Sequence, residues 1–210
     1  MNAIVEPFLP ERLVPFAAGD EDARGALAAW LRGRSLWPGA LARRARAAPP
    51  DALYMPFWLV DAHAVVHWEG MGRRGIVETD FTGLPVCADP GADPALMEAL
   101  EPWPVRALRR YDARDVAARP VGRALRTRDD AIALARARME RELIAIARRN
   151  APAKTRDRLR LTGAEYPREA CTLALLPLWR IEGSRFGRPC AVAMNGATGK
   201  IVERATAVAR

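Results

Sequence analysis

The sequence predicts an α+β fold made of two pseudo-repeats, each a helix followed by an antiparallel β-meander. Three observations carry this expectation. A strand bearing Pro-x-Trp occurs twice, as Leu53-Tyr54-Met55-Pro56-Phe57-Trp58-Leu59-Val60 and as Ala174-Leu175-Leu176-Pro177-Leu178-Trp179-Arg180-Ile181. Each is followed by a Thr-Gly turn and a second apolar run, Thr82-Gly83-Leu84-Pro85-Val86 and Thr198-Gly199-Lys200-Ile201-Val202. Each also lies downstream of an amphipathic helical pattern, so one unit is used twice. The implied boundaries are 1–92 for the first helix-plus-hairpin unit, 93–126 for a helical connector and 127–210 for the second helix-plus-meander unit.

The elements follow in order. Pro7, Pro10 and Pro15 keep the first 19 residues extended. Asp20 is placed to cap a helix over 21–33, with Ala23, Leu27, Trp30 and Leu31 on one stripe and Glu21 and Asp22 in the first turn. A short basic segment over 39–48 carries Arg43, Arg44 and Arg46 and ends at Pro49-Pro50. Aromatic and β-branched residues over 52–68 read as a long strand, in which Pro56 calls for a sheet edge or a bulge. The Gly70 to Gly75 loop turns it back, and 76–87 returns. Asp93-Pro94 is a cap followed by a favoured first helical residue, and Pro102 and Pro104 stop that helix.

In the second half, Thr127-Arg128-Asp129-Asp130 resembles a capping box for a helix over 128–149. Ile132, Ala135, Met139, Leu143 and Ile146 form its apolar face. A short strand is expected at 159–161 and a doubly buried one over 170–181. The segment 190–202 completes a meander, with Asn195-Gly196 as a strong hairpin signal.

Composition narrows the class. The chain has 210 residues, half of them apolar and 28% charged, which suits a globular protein. Its net charge of +8 points toward polyanions, but the basic residues are almost all Arg in a chain crowded with Ala, Pro and Gly, a composition a GC-rich genome yields by itself. Cys87, Cys171 and Cys190 are odd in number and widely spaced, so a disulfide framework or zinc knuckle is not expected. No apolar run reaches the ~20 residues of a spanning helix, and the first fifteen residues lack a signal-peptide pattern. The expectation is a cytoplasmic protein without a transmembrane segment.

The candidates for chemistry are few. Asp61, His63 and His67 share one face of the first long strand, because side chains alternate with period two. Positions i and i+4 on a strand stand ~13 Å apart, too far for one ion held at ~2 Å, so no metal site is predicted. Gly70-x-Gly72-x-x-Gly75 matches a dinucleotide fingerprint in letters only, since a strand and not a helix follows it. No nucleophile motif is present, and neither a catalytic residue nor a cofactor is predicted. Of the six tryptophans, Trp30, Trp58 and Trp179 are assigned to the core, and Trp37, Trp68 and Trp103 are left as surface anchors for a partner.

The order of motifs resembles a bacterial family. Leu175-Leu176-Pro177-Leu178-Trp179 followed by Asn195-Gly196-Ala197-Thr198-Gly199-Lys200-Ile201-Val202 is similar to its "LLPVW … VNGQTGKV" signature. Leu53-Tyr54-Met55-Pro56-Phe57-Trp58-Leu59-Val60-Asp61 is similar to its "YLPFWLFD" segment, and Leu100-Glu101-Pro102-Trp103 with Tyr111-Asp112 to its "LEPWD … PYDP" connector. This is the zinc-ribbon-associated family whose members often carry labels borrowed from replication helicases or transcription-factor zinc ribbons. The present chain resembles its post-ribbon domain without the Cys-x-x-Cys ribbon, and the final hairpin looks like the helix-then-meander plan of PepSY or cystatin-like modules.

The resemblance brings no activity with it. The residues themselves lead to the expectation of a non-enzymatic interaction, scaffold or adaptor module, since Pro56 on a strand suggests an exposed edge; the resemblance adds that some relatives work beside membrane-associated assemblies. The expected partner is another protein, or a second copy joined through a sheet edge. The alternative is nucleic-acid binding through an Arg-rich surface that includes Arg43, Arg44, Arg46, Arg73, Arg74, Arg109 and Arg110.

Overall fold

The computed structural model describes residues 9–33, 50–185 and 188–205. Within them it is a mixed α+β protein with a large sheet and four helices. The strands are β1 (Arg12–Leu13), β2 (Asp51–Gly70), β3 (Arg73–Cys87), β4 (Arg109–Arg110), β5 (Arg160–Glu165), β6 (Ala170–Arg185), β7 (Arg188–Asn195) and β8 (Ile201–Ala205). The helices are α1 (Asp20–Arg32), α2 (Pro94–Ala99), α3 (Arg128–Asn150) and α4 (Ala153–Arg156). Among the described residues no helix is long and apolar enough to cross a membrane. The chain divides into two compact units. One holds the described residues up to Phe57, Cys87–Leu125 and those from Leu173 on, and the other holds Trp58–Val86 and Arg126–Thr172.

In the first unit, β6 pairs in parallel with β1 (Arg12↔Ala174, Leu13↔Leu175) and antiparallel with β7, which pairs with β8. The sequence places α1 correctly, and its stripe of Ala23, Leu27 and Leu31 packs on Trp179, Ile181, Val192 and Met194. Trp30 is half-buried at the margin of that cluster. Gly19 and not Asp20 is the N-cap: Asp20 is the first helical residue, and its carboxylate is taken by Arg119 at 2.9 Å. Asp93 caps α2 as expected, accepting the amides of Ala95 at 3.0 Å and Leu96 at 3.4 Å.

Pro56 is buried inside β2 instead of lying on an exposed edge. The segment after β4 covers that stretch: Tyr54 donates to the Pro120 carbonyl at 2.9 Å and accepts from Gly122 at 2.8 Å, a parallel bridge to Val121. The next amide along this side of β2 would be that of residue 56, which proline lacks, so the pairing stops there. Gly122 lets the two segments approach closely: a Cβ there would lie 2.9 Å from Met55 Sδ and 3.0 Å from Pro56 Cδ, so a larger residue would have to push these side chains aside.

The β7–β8 hairpin exists, but not as a two-residue Asn-Gly turn. Asn195 and Lys200 close a four-residue loop in which Gly199, at φ +74°, takes the left-handed position. Asn195 is fully buried, and its side chain organises the loop. Oδ1 accepts from Ala197 at 3.0 Å and Thr198 at 3.1 Å, while Nδ2 donates to the carbonyls of Leu100 at 3.0 Å and Pro102 at 3.3 Å.

In the second unit, β2 runs between β3 and β5. Its even-numbered residues Val60, Ala62, Ala64 and Val66 are buried, and the odd ones from Asp61 to Glu69 are half-buried or exposed, with period two. Helix α3 buries Ala131, Ala135, Met139, Leu143 and Ala147, a strict i, i+4 row. The sequence reading had Ile132 and Ile146 at its ends, and both are only half-buried. The row continues through alanines because small side chains let the helix axis lie close to what it covers. Thr127 caps α3 by accepting the Asp130 amide at 3.1 Å and donates its hydroxyl to the Asp130 carboxylate at 2.7 Å.

Candidate functional site

The two-residue loop Met71-Gly72 joins β2 to β3, and both residues have positive φ, +50° and +72°. That is a type I′ turn, which makes Gly70 and Arg73 the closing hydrogen-bonded pair. Counting on from this pair, Gly75 faces Trp68 and Asp80 faces His63, and the contacts agree. A Cβ on residue 75 would lie 2.4 Å from the Trp68 ring, and His63 Nδ1 lies 2.9 Å from Asp80 Oδ1. The odd-numbered residues of β3 therefore turn their amides and carbonyls toward β2, and the even-numbered ones turn theirs outward. Among the described residues β3 pairs with β2 alone. Its outer edge offers a row of backbone donors and acceptors at residues 74, 76, 78 and 80, all exposed.

The odd face of β2 and the even face of β3 form one open polar surface, carrying Asp61, His63 and His67 together as the alternation requires. Each finds a partner from a neighbouring strand. His63 lies between Asp80 and Glu78, the latter at 3.6 Å from Nε2; His67 Nε2 is 3.3 Å from Glu165; and Asp61 accepts the Gly83 amide at 2.7 Å. Glu69 accepts from Arg160, with Arg74 Nε 3.7 Å away. The hydrogen bond from Arg160 holds the Glu69 carboxyl below its ordinary range. The two imidazoles are thus spread along the strand among carboxylates and do not converge on a point. Among the described residues no three His, Cys, Asp or Glu side chains gather as a metal cluster.

Beside the histidine face lies an open groove of about 730 Å³ lined by His67, Trp68, Glu69, Arg74, Gly75, Ile76, Thr162 and Gly163. Thr162 is the extra residue of a bulge in β5, between the pairs His67↔Gly163 and Trp68↔Leu161. Ile76 is 59% exposed at the edge of the groove, a large apolar side chain left in water in the middle of a free strand edge.

Of the sequence-selected binding residues, Arg73 and Arg74 are exposed at the start of β3. Trp68 is half-buried, on the face opposite the histidines, against Ala147, Ala151, Leu159 and Val77. Trp103 is not a surface anchor: it is 6% exposed and its ring packs on Phe57 at 5.6 Å. Trp37, Arg43, Arg44 and Arg46 lie outside the described residues. Arg109 and Arg110 are exposed on β4 of the other unit, with Arg109 held by Asp115 at 2.9 Å. Cys171 is buried and Cys87 half-buried, and the side chain of Cys190 is outside the description. Sequence reasoning missed the carboxylates that face the histidines. The strict alternation Arg74, Ile76, Glu78, Asp80, Thr82 was the signal that could have found them.

No family model matches the chain, and neither the curated proteins nor the solved structures contain a match to it.

Proposed function

We propose that this chain is a non-enzymatic interaction module, a scaffold or adaptor, that receives a partner strand along the outer edge of β3. One observation carries the reading: over 73–82 the strand β3 has exposed alternate residues, and it has a single strand partner among those described. An edge of that length supplies main-chain hydrogen bonds for affinity, while side chains at every second position supply selectivity. Edges that must stay free are usually shortened, bulged, or protected by Pro and by charges, above all Lys; the charges on this edge, Arg74, Glu78 and Asp80, are of both signs and can be matched by a partner. Over residues 73–82 β3 has no Lys and no Pro.

The nucleic-acid alternative ranks below this. Arg74 lies 3.7 Å from Glu69, and Glu78 and Asp80 follow it on the exposed face of β3, so the same surface that offers guanidinium groups to phosphate also offers carboxylates that repel it. A cytoplasmic location accompanies the adaptor reading.

The pseudo-repeat belongs here as well. In both Pro-x-Trp strands the proline carbonyl accepts a backbone amide at 2.8 Å, from Ala88 to Pro56 and from Gly196 to Pro177. The glycines of both Thr-Gly pairs have positive φ, +62° at Gly83 and +74° at Gly199, but only the second pair lies in a turn: Thr82-Gly83, expected as one, lies inside the continuous strand β3. Both indoles are buried, but they are held differently. Trp58 donates to the Arg126 carbonyl at 2.9 Å, whereas the Trp179 N–H has no partner among the described residues. The shared features favour a common plan with divergent surroundings.

The test is a photo-crosslinking residue at position 76 of the full chain in cells, with the exposed helical position 134 as control. Adducts at 76 and not at 134 are expected. Adducts at 134 alone, or at neither, contradict the reading.

A further inference from the structure

Resting on the edge reading above, we propose that the partner strand is β3 of a second copy of this chain, antiparallel, about a two-fold axis through Ile76. The argument begins with which residues the hairpin leaves facing outward. Residues 74, 76 and 78 carry the outward amides and carbonyls, so an antiparallel partner must pair even residues with even residues. A two-fold axis through residue 76 sets Ile76 against its own symmetry mate, and Arg74 against Glu78 of the other copy, twice.

That register is favourable on the exposed face. The two Ile76 side chains, each 59% exposed in the single chain, cover one another. The flanking Arg74–Glu78 pairs are opposite in charge and directly opposed across the strands. Both side chains are available for this. Arg74 is 86% exposed and only 3.7 Å from Glu69, and Glu78 is 65% exposed and 3.6 Å from His63. Neighbouring registers are worse. An axis through Val77 also opposes charges of opposite sign, Arg74 with Asp80, but leaves both Ile76 side chains opposite Glu78, and an axis through Glu78 opposes two carboxylates. Only the axis through Ile76 covers the apolar side chains and pairs their flanking charges at once. An interface made of one strand pair is small, so the dimer is a weak one, in the class of transient associations.

The experiment is sedimentation velocity of the full chain over a wide concentration series. The wild-type protein is expected to shift from monomer to dimer. Arg74→Glu and Glu78→Arg each oppose like charges at two symmetric positions and should weaken association roughly tenfold or more. An equimolar mixture of the two variants should associate as tightly as wild type, since every opposed pair in the mixed dimer has opposite charge. Ile76→Lys, an exposed substitution that leaves the β2–β3 bonds intact, should be monomeric throughout. A wild-type protein that stays monomeric, a dimer indifferent to the single variants and to Ile76→Lys, or a mixture no better than its components overturns the proposal. A monomer that still forms adducts with other proteins at position 76 removes the second copy and leaves the adaptor reading standing. A monomer with no adduct at 76 removes both.

Discussion

Gly75 lies flat against the indole of Trp68: a Cβ at position 75 would come within 2.4 Å of Cζ2 and 2.6 Å of Cε2. This cross-strand contact follows from the register that the Met71-Gly72 turn sets, and it holds the start of the edge strand close against β2. The ring also covers the helix-side cluster of Ala147, Ala151 and Leu159, so one side chain ties the edge strand to the interior of its unit.

Gly75→Ala should therefore destabilise the fold by about 1–3 kcal/mol, the usual range for forcing a methyl group into packed space. Denaturant unfolding followed by tryptophan fluorescence measures it. An unchanged midpoint would mean that the strands can separate at no cost.

Asn195→Ala should cost about 1–3 kcal/mol, because the Ala197 and Thr198 amides and the Leu100 and Pro102 carbonyls all lose a partner supplied by a fully buried side chain. Asn195→Asp should cost at least as much, since a carboxylate brought close to those carbonyls cannot donate to them. Thermal unfolding of the two variants side by side checks both the size and the order.

Arg119 stacks on Phe16 at 4.2 Å and on Trp179 at 4.9 Å while pairing with Asp20 at 2.9 Å. Arg119→Met keeps much of the volume and removes the charge, and should lose about 1–2 kcal/mol. Arg119→Lys should recover only part of this, because an ammonium lacks the flat face that lies on two rings. A lysine variant as stable as wild type contradicts the stacking argument.

Stability should decline at alkaline pH through Tyr166. Burial, and then the hydrogen bond it donates to Glu140 at 2.6 Å, push its phenol well above the ordinary value near 10. Between the ordinary value and the raised one, the unfolded chain has lost this proton and the folded chain keeps it, so stability falls as pH rises. Tyr166→Phe should flatten that part of the profile in urea titrations at several alkaline pH values. An equally steep decline in the variant assigns it elsewhere.

The sequence made the long elements legible because each carries a sustained signal. Strand β2 by its aromatic and β-branched residues, strand β6 by a nearly unbroken apolar run, and helix α3 by its cap and apolar face all lie within a few residues of their expected places. What it hid were choices between neighbours. The buried row of α3 runs through Ala131 and Ala147 and not through the larger Ile132 and Ile146, since proximity and not hydrophobicity decides which side of a helix faces inward. Pro56 looked like an edge marker, but Pro120-Val121-Gly122, distant in sequence, covers it. Asp20 looked like a cap, but Arg119 claims its carboxylate. The common face of Asp61, His63 and His67 was readable from period two alone. The carboxylates facing His63 were within reach of the alternation along β3, whereas Glu165, which faces His67, arrives from β5, whose register no local pattern reveals.

Backbone hydrogen exchange in β3 of the dilute, monomeric protein tests the free edge most directly. The amides of Gly75, Val77 and Thr79 should be protected, and those of Ile76, Glu78 and Asp80 should exchange at rates near those of an open chain. Uniform protection along the strand would mean that the edge is already occupied by the chain itself, and would contradict the account.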